Sequence, residues 1–289
     1  MSLGWTYRGR LFTEEELEAI RTLLLTHPTA HRAPLSRLVC ERLDWRRSDG
    51  SLKDMACRVA MLEMEADGLL RLPPPRNVNG NGKPYLRRTL LAEPQSPFVH
   101  PVSTLSNLTL DPVDTREDSH LWNEFVARYH YLGYQPIPGA QQRYFARSDG
   151  RILALLGFGA AAWKAAPRDQ FIGWTAVQRE AKLALVVNNV RYLVLPWVES
   201  RHLASKLLSM AARRLPRDWE ARYNDRPVLL ESFVEIPRFA GTCYKAANWI
   251  YVGQTQGRGK RDVHHEATLP KKAIWLYPLA RNFRKVLCS

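Results

Sequence analysis

The chain has 289 residues, of which 45% are hydrophobic, so it can bury a substantial core and exceeds the usual length of one domain. Its 42 Lys and Arg residues outnumber 28 Asp and Glu residues, which gives a formal net charge of +14. This balance favours a polyanion as partner, with nucleic acid ahead of an anionic membrane surface or an acidic protein.

The apolar segments and the cysteines place the chain among cytoplasmic proteins. The longest apolar run, ILALLGFGAAA, is too short to span a bilayer, and the first residues lack the apolar region of a secretory signal. The cysteines are scattered without CxxC spacing, which favours reduced thiols over disulfides. We therefore expect a soluble intracellular protein with no membrane partner.

Residues 1–95 are predicted to form a winged helix-turn-helix-like domain with a linker. Thr13 caps an acidic first turn, and apolar residues follow at helical spacing. The segments APLSRLVCERLDW and SLKDMACRVAMLEMEADG predict two further helices joined by the turn RRSDG. In a winged helix the third helix lies in the major groove, so Lys53 and Arg58 would face DNA. A small helical bundle used for protein contacts is the alternative.

Residues 73–101 are rich in Pro, Asn and Gly and lack a sustained period, which is typical of a linker or a wing. Within this stretch, LRRTLL is a candidate for a short strand.

Residues 96–289 are predicted to form an α/β (α+β) domain with a mixed sheet. DSHLWNEFVARYHYLG predicts an amphipathic helix, and QQRYFARSDGRILALLGFGAAA predicts two strands around the turn SDG. VRYLVLPWV and PVLLESFVEI predict apolar strands on either side of a long helix. Asn188 and Asn189, which precede the first of these strands, predict a turn.

The junction between VRYLVLPWV and that long helix is a candidate anion site. Arg201 and Ser205 lie in the first turn of the helix, together with the small side chain of Ala204. Unpaired N–H groups at a helix start bind phosphate or pyrophosphate through geometry and dipole. A plain strand-to-helix junction with a surface arginine is the alternative.

From about residue 105 to 289 the order of elements resembles the N-acetyltransferase (GNAT) superfamily, and the resemblance rests on RYLVLPWV, RHLASKLL, VLLESFVE and TCYKAANWIYVGQT. It implies a GNAT-like sheet domain in which Arg201 begins the turn that binds acyl-CoA. It also implies that Tyr244 is the acid that protonates the departing thiolate. Lys206 stands where that superfamily has Gly or Ala, so the sequence departs from the motif there.

Nearly the whole chain resembles a narrower group, the Druantia anti-phage defence protein DruA family. The strings that carry this resemblance include KDMACRVAMLEMEADGLLRLPPP, NNVRYLVLPWV, GTCYKAANW, GQTQGRGKRD and KKAIWLYPL. The resemblance implies a role in bacterial anti-phage defence or in a mobile element, with a helicase or transposase as a further partner. It does not imply a particular reaction.

The segment GQTQGRGKRDVHH is a candidate nucleic-acid contact. Its glycines suit tight turns whose N–H groups face a phosphate, and Arg258, Lys260 and Arg261 add positive charge. A loop that binds a nucleic-acid backbone is one interpretation, and a solvated loop is the other. Together with Arg201, these residues predict a cleft between two splayed strands, rimmed by cations, that receives a phosphorylated chain.

Two kinds of catalysis are compatible with the residues. In acyl transfer, Glu231 would orient or deprotonate an amine, Tyr244 would be the acid, and acyl-CoA or an aminoacyl-tRNA would be the donor. In a nuclease, a divalent metal would be bound by carboxylates and histidines drawn from Asp169, Glu231, Asp262, His264 and His265. An adjacent histidine pair in a polar loop is also typical of a solvated pair.

His130 ends the helix of ARYHYLGY, where a cationic histidine is favourable, so a structural role competes with a catalytic one.

The sequence as a whole predicts a DNA-binding protein of anti-phage defence or of a mobile element. The alternatives are an acyl or aminoacyl transferase, a metal-dependent nuclease, and a non-catalytic adaptor for a helicase or transposase.

Overall fold

The computed structural model describes residues 4–75, 88–258 and 267–289. Within it the chain divides into two compact units, Met1–Pro84 and Tyr85–Ser289. The division therefore falls earlier in the chain than the boundary that the sequence predicts after residue 95. Each unit has a hydrophobic core of its own.

The first unit is a strand hairpin followed by helices, namely β1 (Gly4–Tyr7), β2 (Arg10–Thr13), α1 (Glu14–Thr26), α2 (Arg32–Arg42) and α3 (Asp54–Ala66). Thr13 and Glu16 form a capping box at the start of α1, which confirms the predicted helix start. The hairpin comes before α1, where the sequence analysis predicted no strand. The winged-helix assignment stays a prediction.

Residues 88–95 pack on the helix that spans residues 116–129 of the second unit. The backbone N–H and the hydroxyl of Thr89 both donate to the carboxylate of Glu124 at 2.8 Å. Arg128 donates to Glu93 at 2.8 Å. In the part of LRRTLL that the structure describes, Leu90–Ala92 forms a 3₁₀ turn rather than the strand suggested by the sequence.

The second unit alternates strands and helices, which confirms the predicted α/β class. In chain order these are β3 (Phe98–Val99), β4 (Thr109–Pro112), α4 (Arg116–Tyr129), β5 (Gln141–Ser148), β6 (Arg151–Ala160), α5 (Ala166–Ile172), α6 (Ala176–Lys182), β7 (Val186–Val194), β8 (Val198–Glu199), α7 (Leu203–Tyr223), β9 (Leu229–Glu235), α8 (Thr242–Ala246), β10 (Ile250–Gln254), β11 (Lys272–Pro278) and α9 (Phe283–Leu287).

The sheet of the second unit is mixed. Among the described residues, seven strands follow the order β10-β11-β9-β7-β6-β5-β4. Neighbouring strands are antiparallel except for β7 and β9, which are parallel. A parallel pair requires a crossover connection, and α7 is the long helix of that crossover.

Helices pack against this sheet through apolar residues at helical spacing. The buried face of α7 belongs to the larger core cluster and consists of Leu203, Leu207, Leu208, Ala211, Ala212, Leu215 and Trp219. The helices α5 and α9 contribute Ile172, Phe283 and Leu287 to a second cluster. Within the described ranges, no helix is both long and apolar enough to cross a bilayer.

Candidate functional site

The parallel strands β7 and β9 pair over a short length and then separate. Their register joins Val186 to Leu229 and ends where Asn188 meets Glu231. Beyond this point β7 continues beside β6, and β9 continues beside β11. The ladder between β6 and β7 shifts register between Gly157 and Phe158, and such a bulge bends the strand that carries the extra residue. A split therefore opens in the middle of the sheet.

A cleft with a volume of about 750 Å³ lies between the separated strands. Residues on β7, β9 and α8 line it, together with residues near the end of α4 and beside β10 and β11. Its volume is in the range of small-molecule and cofactor sites. The cleft lies between two diverging strands, but Arg201, which the sequence analysis placed at the rim of such a cleft, is not among its lining residues.

The walls of the cleft are apolar, and several cations point to it. Val190, Phe233 and Leu269 are among the apolar lining residues. Arg191, Arg258 and Lys272 bring positive charge, whereas Glu235 is the carboxylate among the lining residues that the structure describes. A site of this composition suits a ligand that combines an apolar or aromatic part with negative charge.

Arg191 is half-buried in the cleft wall. One of its terminal nitrogens donates to the carbonyl of Val190 at 2.8 Å. Its Nε atom is buried without a hydrogen-bond partner, and no carboxylate forms an ion pair with Arg191 in the described part of the chain. Burial lowers the pKa of Arg191, because the charged form loses hydration.

His130 lies at the end of α4 and also lines the cleft. Its Nδ1 accepts the backbone N–H of Leu132 at 3.2 Å, so the neutral ring carries its proton on Nε2. Burial, followed by the charges of Arg191 and Arg238, lowers the pKa of His130 to about 4. This lowered pKa favours a neutral imidazole near pH 7, whereas the structural role considered from the sequence was that of a helix-end cation.

Tyr244 lies on α8 at the back of the cleft, where its hydroxyl is already bonded. It donates to Oδ1 of Asn189 at 2.8 Å and accepts from the hydroxyl of Ser232 at 3.0 Å. The side-chain amide of Asn189 in turn donates to the carbonyls of Gly157 and Arg191. Burial raises the pKa of Tyr244 well above its usual range. The tyrosine therefore joins β7, β9 and α8 as a neutral hydroxyl.

Glu231 lies in a buried ion-pair network rather than at the cleft. One carboxylate oxygen accepts the N–H of Ala162 at 2.7 Å, and the other accepts from Arg168 at 2.8 Å. Both side chains of this pair are fully buried. Burial raises the pKa of Glu231, and the charge of Arg168 opposes that rise.

Asp169 belongs to the same network. Its Oδ1 accepts from the guanidinium of Arg168 at 2.8 Å and from the indole of Trp174 at 3.0 Å. Arg179 approaches its other oxygen at 3.7 Å. The structure thus brings Asp169 and Glu231 together through one arginine, and neither carboxylate is among the residues that line the cleft.

The first turn of α7 borders the cleft through Ala204. Arg201 and Lys206 are exposed and do not line the cleft, and the hydroxyl of Ser205 donates to the carbonyl of His202 at 3.1 Å. Lys206 occupies the position where the GNAT resemblance implies a small residue. These residues do not form the turn of small side chains that an acyl-CoA pyrophosphate needs.

In the first unit, Lys53 immediately precedes α3, and Arg58 lies within that helix. The guanidinium of Arg58 pairs with Asp54 at 3.3 Å and lies 3.5 Å from the hydroxyl of Ser36. Arg58 is therefore held against its own unit, while the side chain of Lys53 makes no ion pair among the described residues.

Part of the predicted loop lies outside the described residues, namely Lys260, Arg261, Asp262, His264 and His265. Within the described ranges, no group of three or more His, Cys, Asp or Glu side chains is placed to hold a metal ion. Of the predicted loop cations, Arg258 is described, and it reaches the cleft.

Two residues of the site escaped the sequence analysis because their roles depend on distant segments. Asn189 was predicted to lie in a turn, which is wrong, since it lies within β7 and bonds to Tyr244. Arg191 lies two residues further along the same strand. The segment RYLV carried a weak signal for it, because a charged residue next to an otherwise apolar run in a strand needs a reason.

A model of one protein family, described as Druantia protein DruA, matches residues 65–268 of the chain, which is more than half of its length. The chain belongs to this family. The match includes β7, β9 and α8, whereas Leu269, Pro270 and Lys272 of the cleft lie beyond it. No curated protein is similar enough in sequence to match.

Several solved structures that are similar to this DruA chain are N-acetyltransferases with low sequence identity. A polyamine N-acetyltransferase of Drosophila melanogaster is 13% identical with a TM-score of 0.39, and the match covers 60% of this chain and 100% of that one. An N-acetyltransferase of Staphylococcus aureus Mu50 is 15% identical with a TM-score of 0.37, covering 61% and 100%. AAC(6′)-Ib with ribostamycin and coenzyme A is 13% identical with a TM-score of 0.40, covering 59% and 93%. Similarity of this size carries no argument about activity.

Proposed function

We propose that the protein binds DNA in anti-phage defence and that the cleft between β7 and β9 holds phosphates of the bound strand. Membership of the DruA family supports the defence setting. The DNA-binding part of the proposal rests on the chemistry of the cleft.

The observation that carries the proposal is the state of Arg191. A half-buried guanidinium loses hydration and is normally compensated by a carboxylate or by several acceptors. Arg191 has one carbonyl acceptor, and its buried Nε has none among the described residues. A phosphate oxygen would supply the missing charge and the missing acceptor, because guanidinium and phosphate form strong paired hydrogen bonds.

The neighbouring charges support the same kind of ligand. Arg258 and Lys272 line the cleft together with Arg191. Among the described lining residues, Glu235 alone carries a carboxylate, so positive charge is in excess there. The formal net charge of +14 extends this imbalance to the whole chain. Lys and Arg near a polyanion release condensed counterions, which gives affinity that falls steeply with added salt.

Other parts of the proposal follow from the sequence. The first unit would contribute DNA contacts through a winged-helix-like surface that includes Lys53. A helicase or transposase would be a protein partner, in a defence system or a mobile element, within the cytoplasm. Each of these statements is a proposal that binding and co-purification experiments can test separately from the cleft.

Acyl transfer is not the function that we propose. Glu231 has both oxygens engaged in a fully buried network, and the hydroxyl of Tyr244 is already bonded on two sides. The start of α7 carries Lys206 where a small residue is needed to receive pyrophosphate. The cleft is therefore better explained as a binding site for a phosphorylated strand.

The test is equilibrium binding of fluorescently labelled DNA by the full chain at low salt. We expect the wild type to bind and Arg191→Gln to bind about tenfold more weakly, as loss of a charge-assisted contact to phosphate predicts. Arg226→Gln is the matched control, because it removes the same charge from an exposed pair with Glu220. Absence of DNA binding by the wild type, or equal losses in both variants, would refute the proposal.

A further inference from the structure

An aromatic platform formed by Tyr131, Phe239 and Arg238 stands at the mouth of the cleft. The ring centroids of Tyr131 and Phe239 are 5.1 Å apart in an edge-to-face arrangement. The guanidinium carbon of Arg238 lies 4.7 Å from the centroid of Tyr131 and 5.8 Å from that of Phe239. Both rings line the cleft.

The platform is held in place without being buried. Tyr131 stacks on the ring of His130, with centroids 4.9 Å apart and planes inclined by 29°. The backbone N–H of Phe239 donates to the carbonyl of Glu235 at 3.0 Å, so the turn that carries the ring is bonded to the end of β9. Phe239 nevertheless remains 46% exposed. A supported ring that stays open to solvent is suited to stacking against a ligand.

Other exposed aromatic side chains lack this setting. Trp163 is 54% exposed and Tyr251 is 53% exposed, yet neither lines the cleft. Phe239 shares the cleft with Arg191 and Arg258, so a flat apolar group on its ring would lie in the same site as phosphates on the arginines. Nucleotides carry both groups, since every base has a face that stacks on aromatic rings and every linkage carries a phosphate.

We infer that the cleft receives a single-stranded segment of DNA and that an unpaired base stacks on Phe239. In a duplex the base faces are covered by neighbouring base pairs, so a duplex cannot offer a face to this ring without extruding a base. Charge complementarity with the cleft cations selects a polynucleotide over an uncharged aromatic ligand. This inference rests on the proposed function. It adds that the bound DNA is single-stranded and that Phe239 is the residue on which a base stacks.

The experiment compares labelled single-stranded and duplex DNA of the same sequence, bound to the full chain. We expect the single strand to bind more tightly, and Phe239→Ala to lower that affinity about tenfold, the effect of losing one base stacked on an aromatic ring. Phe239→Tyr should retain the affinity, because it keeps a stacking ring. Tyr251→Ala, which removes an equally exposed aromatic outside the cleft, should leave it unchanged.

The outcomes separate this inference from the proposed function. If both DNA forms bind equally and Phe239→Ala has no effect, the inference is overturned while DNA binding stands. If wild-type protein binds neither form, both are overturned. Coenzyme A, which also combines a base with phosphates, is added as a competitor. Displacement of the strand by coenzyme A with the same dependence on Phe239 would assign the platform to a nucleotide cofactor and overturn the inference.

Discussion

The hydroxyl of Tyr244 donates to Oδ1 of Asn189 at 2.8 Å, across the point where β7 and β9 separate. The same hydroxyl accepts from Ser232 on β9, so one side chain of α8 bonds to both diverging strands. Buried polar contacts thus cross the point where the strands separate, and they stabilise the fold there. The three elements at the back of the cleft are therefore joined by hydrogen bonds.

Tyr244→Phe should lower stability without affecting DNA binding. The substitution keeps the ring but leaves Oδ1 of Asn189 without the donor it has in a buried site, while the hydroxyl of Ser232 retains the carbonyl of Asn189 at 3.3 Å. We expect a loss of about 1–3 kcal/mol in the free energy of unfolding, measured by urea denaturation. DNA affinity at low temperature should be unchanged, since the cations do not depend on the hydroxyl. A variant of normal stability that loses function would instead show that the hydroxyl acts chemically.

Arg168→Met should be more damaging than loss of an exposed ion pair. It leaves the buried carboxylate of Glu231 without its partner, a change that typically costs about 3–5 kcal/mol. Arg226→Met, which breaks the exposed pair with Glu220, should cost less than about 1 kcal/mol. Urea denaturation of both variants measures the difference. Equal small losses would mean that the buried network does not hold β9 in place.

The same variant has a testable pH dependence. Burial already raises the pKa of Glu231, and removing the opposing charge of Arg168 should raise it further. A carboxyl whose pKa is higher in the folded state holds its proton there to higher pH than in the unfolded chain. The stability of Arg168→Met should therefore fall as the pH rises above the usual glutamate value of about 4.3, more steeply than that of the wild type. Parallel pH profiles would contradict this.

His130 should make the folded protein less stable in mild acid. Its pKa is lowered from 6.5 to about 4, so below 6.5 the unfolded chain takes up a proton that the folded chain does not. This part of the stability is present above pH 6.5 and is lost as the pH falls toward about 4. His130→Asn should flatten the profile of unfolding free energy across that range.

Local signals in the sequence predicted the elements well, whereas the site depended on contacts between distant segments. Thr13 with its acidic first turn predicted the start of α1, and SDG predicted the turn between β5 and β6. These features depend on neighbouring residues alone. Asn189 was assigned to a turn from its intrinsic preference, but pairing with β6 and the hydroxyl of Tyr244 hold it in β7.

The cations of the cleft illustrate the same limit. Arg191 lies on β7 and Lys272 on β11, which are separated in the chain by β8, α7, β9, α8 and β10. The fold of the sheet brings both residues to one cleft. Glu231 ends an apolar run, as a catalytic carboxylate often does. Nothing local shows that Arg168, which lies on α5, forms an ion pair with it. Neither the shared cleft of Arg191 and Lys272 nor the ion pair of Glu231 can be predicted before the topology of the sheet and its helices is known.

The salt dependence of single-stranded DNA binding tests the central claim most directly. Each phosphate contact adds about 0.7 to the slope of log affinity against log salt for a single strand. The variant Arg191→Gln/Arg258→Gln/Lys272→Gln should therefore lose about 2 from the magnitude of the wild-type slope. The control Arg217→Gln/Arg226→Gln/Arg281→Gln removes the same charge from exposed positions outside the cleft and should keep the slope. Identical slopes for the cleft variant and the wild type would contradict the account.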